Sequence, residues 1–255
     1  MCLILFSYQQ HPEYKLILAA NRDEFYARKT QSADYWIPEK HIIGGRDLEA
    51  SGTWMGVSMH GKISMLTNYR DLTRIKPEAP SRGLLVADFL VKQSDPKEYF
   101  DEIEKTKEAY NGFNLIAGTA DELWYVSNYS GKPEPIQKGI HGLSNALLNS
   151  PWPKVEKGKS KLKNLIESNK LDENNLFDLL YDDMKAPDQH LPDTGVGLEK
   201  ERLLSPMFIK SPGYGSRCST VILISRDNSV RFVEREYNPD TFAYSQKEFS
   251  FTIEE

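Results

Sequence analysis

The chain has 255 residues, 39% of them hydrophobic and 27% charged, which suits a globular protein with a sizeable core. Its formal net charge of -5 offers no basic surface for a polyanion, so nucleic acid is excluded as a partner. No apolar run approaches the roughly 20 residues of a membrane-spanning helix, and no integral membrane segment is expected. The lysine-rich stretch at 154–163 is interpreted as the solvated face of a helix.

The N-terminus and the cysteine content indicate the compartment. The chain begins Met-Cys-Leu-Ile-Leu-Phe, with no basic region ahead of this run and no small-residue cleavage site after it, so a secretory signal is not expected. Two cysteines in the whole chain indicate a reducing compartment without a disulfide framework. We therefore expect a cytoplasmic protein. Because no linker or composition shift divides the chain, we expect a single domain over residues 1–255.

The first part of the chain predicts antiparallel strands. Apolar runs at 2–8 and 15–21 are separated by Pro12 and polar residues, a pattern typical of a hairpin. A second hairpin is predicted around a short turn at His60-Gly61. The further predicted strands of this part are 41–45, 53–58 and 62–67.

Paired helices and further strands follow. Ser81 is predicted to cap a helix whose apolar residues recur at helical spacing, and Asp172 is predicted to cap another. A tight turn at Ala120-Asp121 joins two predicted strands. The remaining predictions are helices at about 95–109, 154–168 and 173–184, and strands at 114–119, 122–128, 218–225, 230–235 and 247–253.

Residues 186–216 interrupt this pattern, because they are rich in proline and glycine and too long for an ordinary connection. Such segments are usually functional lids or disordered, and this one is expected to gate a pocket. Strands, paired helices and strands again predict an α+β fold with antiparallel sheets.

The position of Cys2 indicates a chemistry. Met1 followed by a small residue is a good substrate for removal of the initiator methionine, which leaves a thiol and a free α-amine on one residue. The amine has a reference pKa of about 8 and can take the thiol proton, so the nucleophile carries its own base. The alternative is that Met1 is retained and Cys2 is a small buried strand residue, since free cysteine is commonly buried.

Four polar clusters end strand-like runs. Each alone is explained equally well by a strand that runs out into solvent. Together they supply side-chain amides, which donate to an oxyanion, and guanidiniums, which hold a thiolate or a carboxylate. The clusters are Asn21-Arg22-Asp23-Glu24, Thr67-Asn68-Tyr69-Arg70, Ser144-Asn145 and Ser216-Arg217.

On these residues the chain is identified as a member of the NRDE family, also called the transport-and-Golgi-organisation family. The run at 21–24 is the family's signature, and Met1-Cys2 at the start is a second mark. Other marks span nearly the whole chain in order, which makes the resemblance specific. They are Gly52-Thr53-Trp54-Met55-Gly56-Val57, Thr67-Asn68-Tyr69-Arg70, Leu191-Pro192-Asp193-Thr194-Gly195-Val196 and Tyr214-Gly215-Ser216-Arg217.

The family in turn resembles, more distantly, the N-terminal-nucleophile (Ntn) acylases such as penicillin V acylases and bile-salt hydrolases. This resemblance implies an Ntn-hydrolase-like αββα sandwich, with two antiparallel sheets between helix pairs. It also implies that Cys2 is the nucleophile and that Asp23 orients the α-amine. By the same resemblance, Asn68 and Asn145 build the oxyanion hole and Arg217 lies near the reaction centre.

One motif departs from the acylase pattern. The acylases carry Arg-Asn-x-Asp where this chain has Ala20-Asn21-Arg22-Asp23. A shift of two residues keeps the arginine on the same face of a strand but displaces it by about 7 Å, so Arg22 is expected near the thiolate in an altered role. Cys218 stands where the family usually has a small residue and is interpreted as a buried structural thiol.

Other chemistries lack a pattern in the sequence. The histidines are scattered without a His-x-x-x-His pair or a cysteine at ligand spacing, so no zinc site is expected. No Gly-rich phosphate loop occurs, and no cofactor is expected. A papain-like pairing of Cys2 with a distant histidine has no local signature. The aromatic share of 11% would suit an apolar acyl or macrocycle pocket.

Two hypotheses of different classes remain. In the first, the protein is an Ntn-type amide hydrolase or acyltransferase that acts on a small acylated molecule, with Arg22 and Arg217 balancing the charge. In the second, suggested by resemblance to the eukaryotic members, it is a non-catalytic carrier or trafficking protein for lipid or haem, in which Cys2 is an iron ligand or has no role. The state of the N-terminus separates them, since a retained Met1 removes the amine as base.

Overall fold

Two antiparallel sheets dominate the computed structural model, which describes residues 2–92 and 94–254. Met1, and with it the predicted removal of the initiator methionine, lies outside the described residues. Within them the strands are β1 (Cys2–Tyr8), β2 (Tyr14–Phe25), β3 (Thr30–Tyr35), β4 (Ile42–Asp47), β5 (Met55–Ser58), β6 (Lys62–Asn68), β7 (Phe113–Thr119), β8 (Leu123–Ser127), β9 (Glu134–Pro135), β10 (Gly139–Leu143), β11 (Lys210–Ser211), β12 (Tyr214–Ser225), β13 (Ser229–Tyr237) and β14 (Tyr244–Thr252).

The helices form two pairs and a short fifth element. Over the described ranges they are α1 (Gly83–Val91), α2 (Pro96–Thr106), α3 (Pro153–Glu167), α4 (Glu173–Leu180) and α5 (Leu198–Leu204), with single 3₁₀ turns at Lys107–Ala109 and Asp188–His190. None of the helices in the described part of the chain has the length and apolarity needed to cross a membrane.

The two sheets differ in how the chain builds them. The first has the strand order β10-β1-β2-β12-β13-β14, with β11 paired to β12, and therefore joins the two ends of the described chain. The second runs β3-β4-β5-β6-β7-β8-β9 in chain order, as successive hairpins do. β1 and β2 are central in this sheet, and Arg22 of β2 has a strand partner on each side, Cys2 in β1 and Cys218 in β12.

Alternating side chains of β1 and β2 pack into two different core layers. Ile4 and Phe6 belong to the core between the two sheets, whereas Leu3 and Leu5 pack against α3 and α4. A third core lies between the second sheet and the pair α1 and α2. The order of layers is thus helices, sheet, sheet, helices, which confirms the αββα sandwich.

Most predicted elements are confirmed, and the differences have local causes. The hairpins at 2–21, 55–68 and 113–127 form as expected, and Asp172 caps α4 by accepting from Asn175 N. The cap predicted at Ser81 is wrong: α1 begins at Gly83, and Arg82 is its N-cap residue without a side-chain cap bond. The strands β3, β9, β10 and β11 were not predicted, because they are short or polar on the exposed face.

Residues 186–216 are ordered by tertiary contacts rather than by their own sequence. They contain α5 and β11, and Glu201 of α5 forms a buried ion pair with Arg70 at 2.6 Å. Thr194 also donates to Glu201 through both its backbone N–H and its hydroxyl. The interpretation of 154–163 as a solvated face is wrong at one position, because Lys154 is buried.

Candidate active site

Cys2 faces the second sheet beside an arginine. In the antiparallel register of β1 and β2, Cys2 lies opposite Arg22, and in that of β2 and β12, Arg22 lies opposite Cys218. Directly paired residues share a face of the sheet, so the three side chains point to the same side. The Arg22 guanidinium lies over the Trp54 ring, 4.2 Å from its centroid.

Asp23 lies on the opposite face, as the next residue along β2. It is buried, and the Ser216 hydroxyl donates to its Oδ1 at 2.6 Å, while the Tyr214 hydroxyl donates to its backbone carbonyl at 3.3 Å. Burial raises the pKa of Asp23, and the charge of Lys154 is the largest opposing influence. Burial likewise raises the pKa of the half-buried Cys2 thiol, and the Arg22 charge opposes that shift.

Asn21, the first residue of the motif at 21–24, has a structural role that needs a side-chain amide. Its Nδ2 donates to the carbonyls of Leu180 at 3.0 Å and Met207 at 2.8 Å, and its Oδ1 accepts from the Ser219 hydroxyl. These bonds tie β2 to the end of α4 and to the segment before β11. Asn21 therefore holds the strand that carries Arg22 and Asp23, and it takes no place in the cavity itself.

Asn68 and Asn145 meet where the two sheets approach each other. The Thr67 hydroxyl donates to the Ser144 carbonyl at 2.6 Å, the Arg70 N–H donates to the Asn145 carbonyl at 2.8 Å, and Asn145 Nδ2 donates to the Asn68 carbonyl at 2.9 Å. The Ser144 hydroxyl in turn donates to the Cys2 carbonyl at 3.2 Å. Both asparagines thus lie next to the start of β1, although they are far apart in the chain.

A cavity of about 420 Å³ collects four of the six predicted site residues: Cys2, Arg22, Asp23 and Asn68 line it. Asn145 lies behind Asn68 and does not line it. Arg217 is the extra residue of a bulge in β12, between Ser216 and Cys218.

The bulge turns the Arg217 side chain away from this cavity. Its guanidinium donates to the backbone carbonyls of Phe25, Tyr26 and Arg28. In the described structure Arg217 therefore orders the turn after β2. Its predicted place near the reaction centre stays a prediction.

The sequence did not predict two further arginines at the cavity. Arg82 donates to the Gly112 carbonyl at 2.9 Å, and burial lowers its pKa. Arg28 binds Asp47 through two nitrogens at 2.7 and 2.9 Å. Arg28 lies four residues after Glu24, and this spacing is only a weak indication that it belongs to the site. Nothing in the local sequence distinguishes Arg82 from other arginines.

Close approach of two glycines brings Arg82 to the cavity. A Cβ on Gly52 would lie 2.4 Å from the carbonyl carbon of Gly83, and Thr53 N donates to the Gly83 carbonyl. A side chain at 52 would push the start of α1, and Arg82 with it, outward. The family motif that begins at Gly52 therefore shapes the wall of the cavity and also supplies Trp54 as the surface under Arg22.

A second cavity, of about 330 Å³, adjoins the first. The two share Glu24, Asn68, Arg82 and Asn111. The outer wall of the second cavity is mainly apolar, with contributions from the segment 186–216. Its apolar lining is Phe25, Tyr69, Leu72, Ile75, Val196, Leu204 and the ring of Tyr214.

The fold and the arrangement at the start of β1 define the class as the Ntn-hydrolase fold. An N-acylethanolamine-hydrolyzing acid amidase ortholog from Caenorhabditis elegans superposes with a TM-score of 0.51 and 12% identity, over 87% of this chain and 92% of that chain. A mutant conjugated bile acid hydrolase from Clostridium perfringens gives 0.53 and 7% identity, over 99% and 92%. At these identities the likeness shows the fold alone.

The sequence itself decides the family. The family model for Transport and Golgi organisation 2 matches residues 1–239, and the chain belongs to this family. It is 36% identical to the Transport and Golgi organization 2 homolog of Mus musculus over 277 aligned positions, which cover all of both chains. It is 32% identical to Transport and Golgi organization protein 2 of Drosophila melanogaster, over 92% of this chain and 91% of that one.

Proposed function

We propose that this protein is an Ntn-type cysteine amidohydrolase or acyltransferase that acts on a small acylated molecule after loss of Met1. The observation that carries the proposal is the convergence of Cys2, Arg22, Asp23 and Asn68 on one cavity. Acyl transfer needs a nucleophile, a base and an oxyanion donor within reach of one carbonyl. Cys2 brings the first two once its α-amine is free, and Asn68 brings the third.

The reaction proceeds in two stages. The α-amine of Cys2 takes the thiol proton, and the sulfur attacks the substrate carbonyl carbon to form a tetrahedral oxyanion, which the Asn68 side-chain amide stabilises. The oxyanion collapses, the C–N bond breaks, and the leaving amine takes the proton from the ammonium of Cys2. Water or a second amine then attacks the thioester carbon and gives a proton to the α-amine. The C–S bond breaks, the acyl group leaves as a carboxylic acid or a new amide, and the thiolate takes the proton back from the ammonium.

The neighbouring charges have separate roles in this scheme. Asp23 orients the α-amine from the opposite face of β2. Arg22 lies across from Cys2 in the strand register and favours the thiolate over the thiol. Asn145 supports the oxyanion hole from behind Asn68, because its side-chain amide donates to the Asn68 carbonyl. Arg217 acts from behind, by holding the turn that carries Arg28.

The substrate class follows from the two adjoining cavities. The first carries Arg22, Arg28 and Arg82 against Asp23 and Glu24, and so suits a polar group. The second is mainly apolar and suits the acyl part. By their names, the two structural neighbours are hydrolases of N-acylethanolamines and of conjugated bile acids.

The decisive experiment joins N-terminal analysis with trapping of the acyl-enzyme. Intact mass and N-terminal sequencing should show Cys2 as the first residue. The processed protein is then mixed with a panel of acylated amines and quenched in acid, and we expect a thioester adduct on the Cys2 peptide. Cys2→Ala should abolish the adduct, while Cys218→Ala, at the buried second thiol, should retain it. A retained Met1, or equal turnover by Cys2→Ala and the unaltered protein, overturns the proposal.

The second candidate is a non-catalytic carrier of a lipid or haem-like molecule, and the apolar second cavity is the observation that favours it. A carrier would bind its cargo with a defined stoichiometry whether or not residue 2 is a cysteine. Titration of haem and of fatty acyl amides into Cys2→Ala separates the two functions. Binding by this variant, with no thioester in the unaltered protein, would favour the carrier, whereas a Soret band unchanged by the protein would count against haem. For either function we also propose a cytoplasmic location, because both thiols have to stay reduced.

A further inference from the structure

A separate cavity of about 620 Å³ lies between α4 and the strands β13 and β14 of the first sheet. It shares no lining residue with the two cavities of the candidate active site. Its volume is in the range of pockets that bind small molecules. Most of its wall is aromatic, and we call it the aromatic cavity. The aromatic residues that line it are Phe177, Tyr181, Tyr237, Phe242 and Tyr244.

Arg235 of β13 also lines the aromatic cavity, although it is only 9% exposed. Its guanidinium carbon lies 4.0 Å from the ring centroid of Phe177 and 4.4 Å from that of Tyr244. Nε donates to Gln246 Oε1 and Nη2 donates to Asn174 Oδ1, both at 2.7 Å. Nη1 has no acceptor in the described part of the chain. Two N–H groups on Nη1, beside the second N–H of Nη2, therefore remain to bind an oxyanion.

The charge of Arg235 has no counterion among the residues that the structure describes. Both acceptors of its guanidinium are neutral side-chain amides. Glu173 of α4 and Glu248 of β14 are both bound to Arg231 instead. Asp178 lines the cavity, but it is exposed and does not come within ion-pair distance of Arg235. Because a buried charge is normally paired, the unpaired guanidinium favours an anionic ligand in this cavity.

The turn between β13 and β14 places Phe242 in the wall of the aromatic cavity. Phe242 has a φ of 56°, in the left-handed region that an aromatic residue rarely adopts. The Asn238 carbonyl accepts from Phe242 N at 2.9 Å, and the Asn238 side chain accepts from two further N–H groups of the turn. The Lys210 ammonium, 5.3 Å from the Phe242 ring centroid, is neutralised by Asp183 at 2.9 Å. Strained conformations of this kind cluster at ligand sites.

We propose that the aromatic cavity is a second ligand site, which binds a small molecule that carries one carboxylate on a flat aromatic group. The carboxylate accepts from Nη1 of Arg235, and the aromatic group packs against the rings of the wall. A dianion such as a phosphate monoester is disfavoured, because the exposed Asp178 repels the second charge. The site is independent of the proposed function, since none of its residues takes part in the reaction at Cys2.

The test titrates two probes of the same shape into the full-length protein by isothermal titration calorimetry. 2-Naphthoate carries the carboxylate, and 2-naphthamide replaces it with a neutral amide. Arg235→Met removes the guanidinium and keeps a long unbranched side chain. Tyr244→Thr removes one ring of the wall at a residue that is 52% exposed, so the core is left intact.

Two control variants separate this site from other arginines. Arg231→Met is the matched control, because Arg231 lies four residues earlier on the same face of β13 and does not line the aromatic cavity. Arg82→Met shows whether the probe binds in the first cavity of the candidate active site, which Arg82 lines.

We expect the unaltered protein to bind one 2-naphthoate per chain, roughly tenfold or more tightly than 2-naphthamide. Arg235→Met should weaken 2-naphthoate roughly tenfold to hundredfold and leave 2-naphthamide unchanged. Tyr244→Thr should weaken both probes to a similar extent, by about threefold to tenfold, because both lose contact with the ring. Arg231→Met and Arg82→Met should bind both probes like the unaltered protein.

Three outcomes overturn the inference. The first is that the unaltered protein binds neither probe, or binds the acid and the amide equally. The second is loss of 2-naphthoate binding in Arg82→Met with normal binding in Arg235→Met, which would place the probe in the first cavity. The third is an equal loss in Arg231→Met. If Arg235→Met does not fold, the preference for the acid in the unaltered protein and the results with Tyr244→Thr and Arg82→Met still decide.

Discussion

Cys2 and Arg22 lie directly opposite each other in the strand register of β1 and β2, and Cys218 lies on the other side of the same arginine. One guanidinium thus separates the two cysteines of the chain. The two thiols are unequal, because Cys2 lines a cavity whereas Cys218 is buried, and burial beside Glu234 raises the pKa of Cys218 well above its ordinary value. The arrangement leaves one thiol for chemistry.

Replacement of Arg22 should make the Cys2 thiol less reactive. Arg22 opposes the burial that raises the pKa of Cys2, so Arg22→Met should move the inflection of Cys2 alkylation to higher pH and slow alkylation at pH 7 by about threefold or more. Arg46→Met is the control, since Arg46 also lies over an indole, 4.4 Å from the Trp36 centroid, without lining the cavity. Equal pH profiles of Cys2 alkylation in the two variants would show that Arg22 does not act on the thiol.

Replacement of Asn68 should affect mainly the reaction rate, whereas replacement of Asn145 should affect both the rate and the stability. Asn68 lines the cavity, so Asn68→Ala should reduce the rate of thioester formation about 100- to 1,000-fold with little change in unfolding midpoint. Asn145 is buried and donates to the Asn68 carbonyl, so Asn145→Ala should lower both rate and stability. Stopped-flow kinetics and urea unfolding measure the two effects. Unaltered thioester formation in Asn68→Ala would contradict the oxyanion assignment.

The sequence predicts the strands that carry the site residues better than it predicts where the neighbouring charged side chains point. Two apolar runs separated by Pro12 and polar residues predict the hairpin that sets Cys2 against Arg22, and the polar cluster at 67–70 ends a strand as predicted. The place of Arg217 was not predictable, because a single extra residue in β12 reverses which way a side chain points. The burial of Lys154 in α3 was not predictable either, because its Nζ donates to the carbonyl of Leu204, 50 residues away in the chain.

Asn21 should affect stability without affecting the thiol. Asn21→Ala removes the donor to the buried carbonyls of Leu180 and Met207 and the acceptor of the Ser219 hydroxyl. Each such loss costs about 1 kcal/mol or more, so the free energy of unfolding should fall by roughly 3 kcal/mol. Below the unfolding transition, alkylation of Cys2 should match the unaltered protein. A changed alkylation profile at full stability would show instead that the first residue of the motif acts on the reaction.

The ion pair between Arg70 and Glu201 should be the main attachment of the segment 186–216. Both side chains are buried, and removal of one partner from a buried pair typically costs about 3–5 kcal/mol. Glu201→Gln should therefore lower the free energy of unfolding by that order and speed proteolysis of the segment. Asp101→Asn, which breaks the exposed pair with Lys97, should leave both unchanged. Equal resistance to proteolysis in both variants would mean that other contacts order the segment.

Lys154 gives stability a pH dependence of known sign. Its pKa is lowered from 10.5 to about 8 in the folded protein, so between these values the unfolded chain binds a proton that the folded chain has released. Stability contributed by this group therefore rises with pH from about 8 to 10.5, by at most about 1.4 kcal/mol per pH unit. Below pH 8 both states hold the proton, and the contribution is constant.

Urea unfolding of the unaltered protein and of Lys154→Met at pH 7, 8, 9 and 10 isolates the contribution of Lys154, because other titrating groups cancel in the difference. We expect the unaltered protein to gain stability relative to Lys154→Met only above pH 8. A difference that is flat over this range would show that the ammonium of Lys154 is not buried in solution.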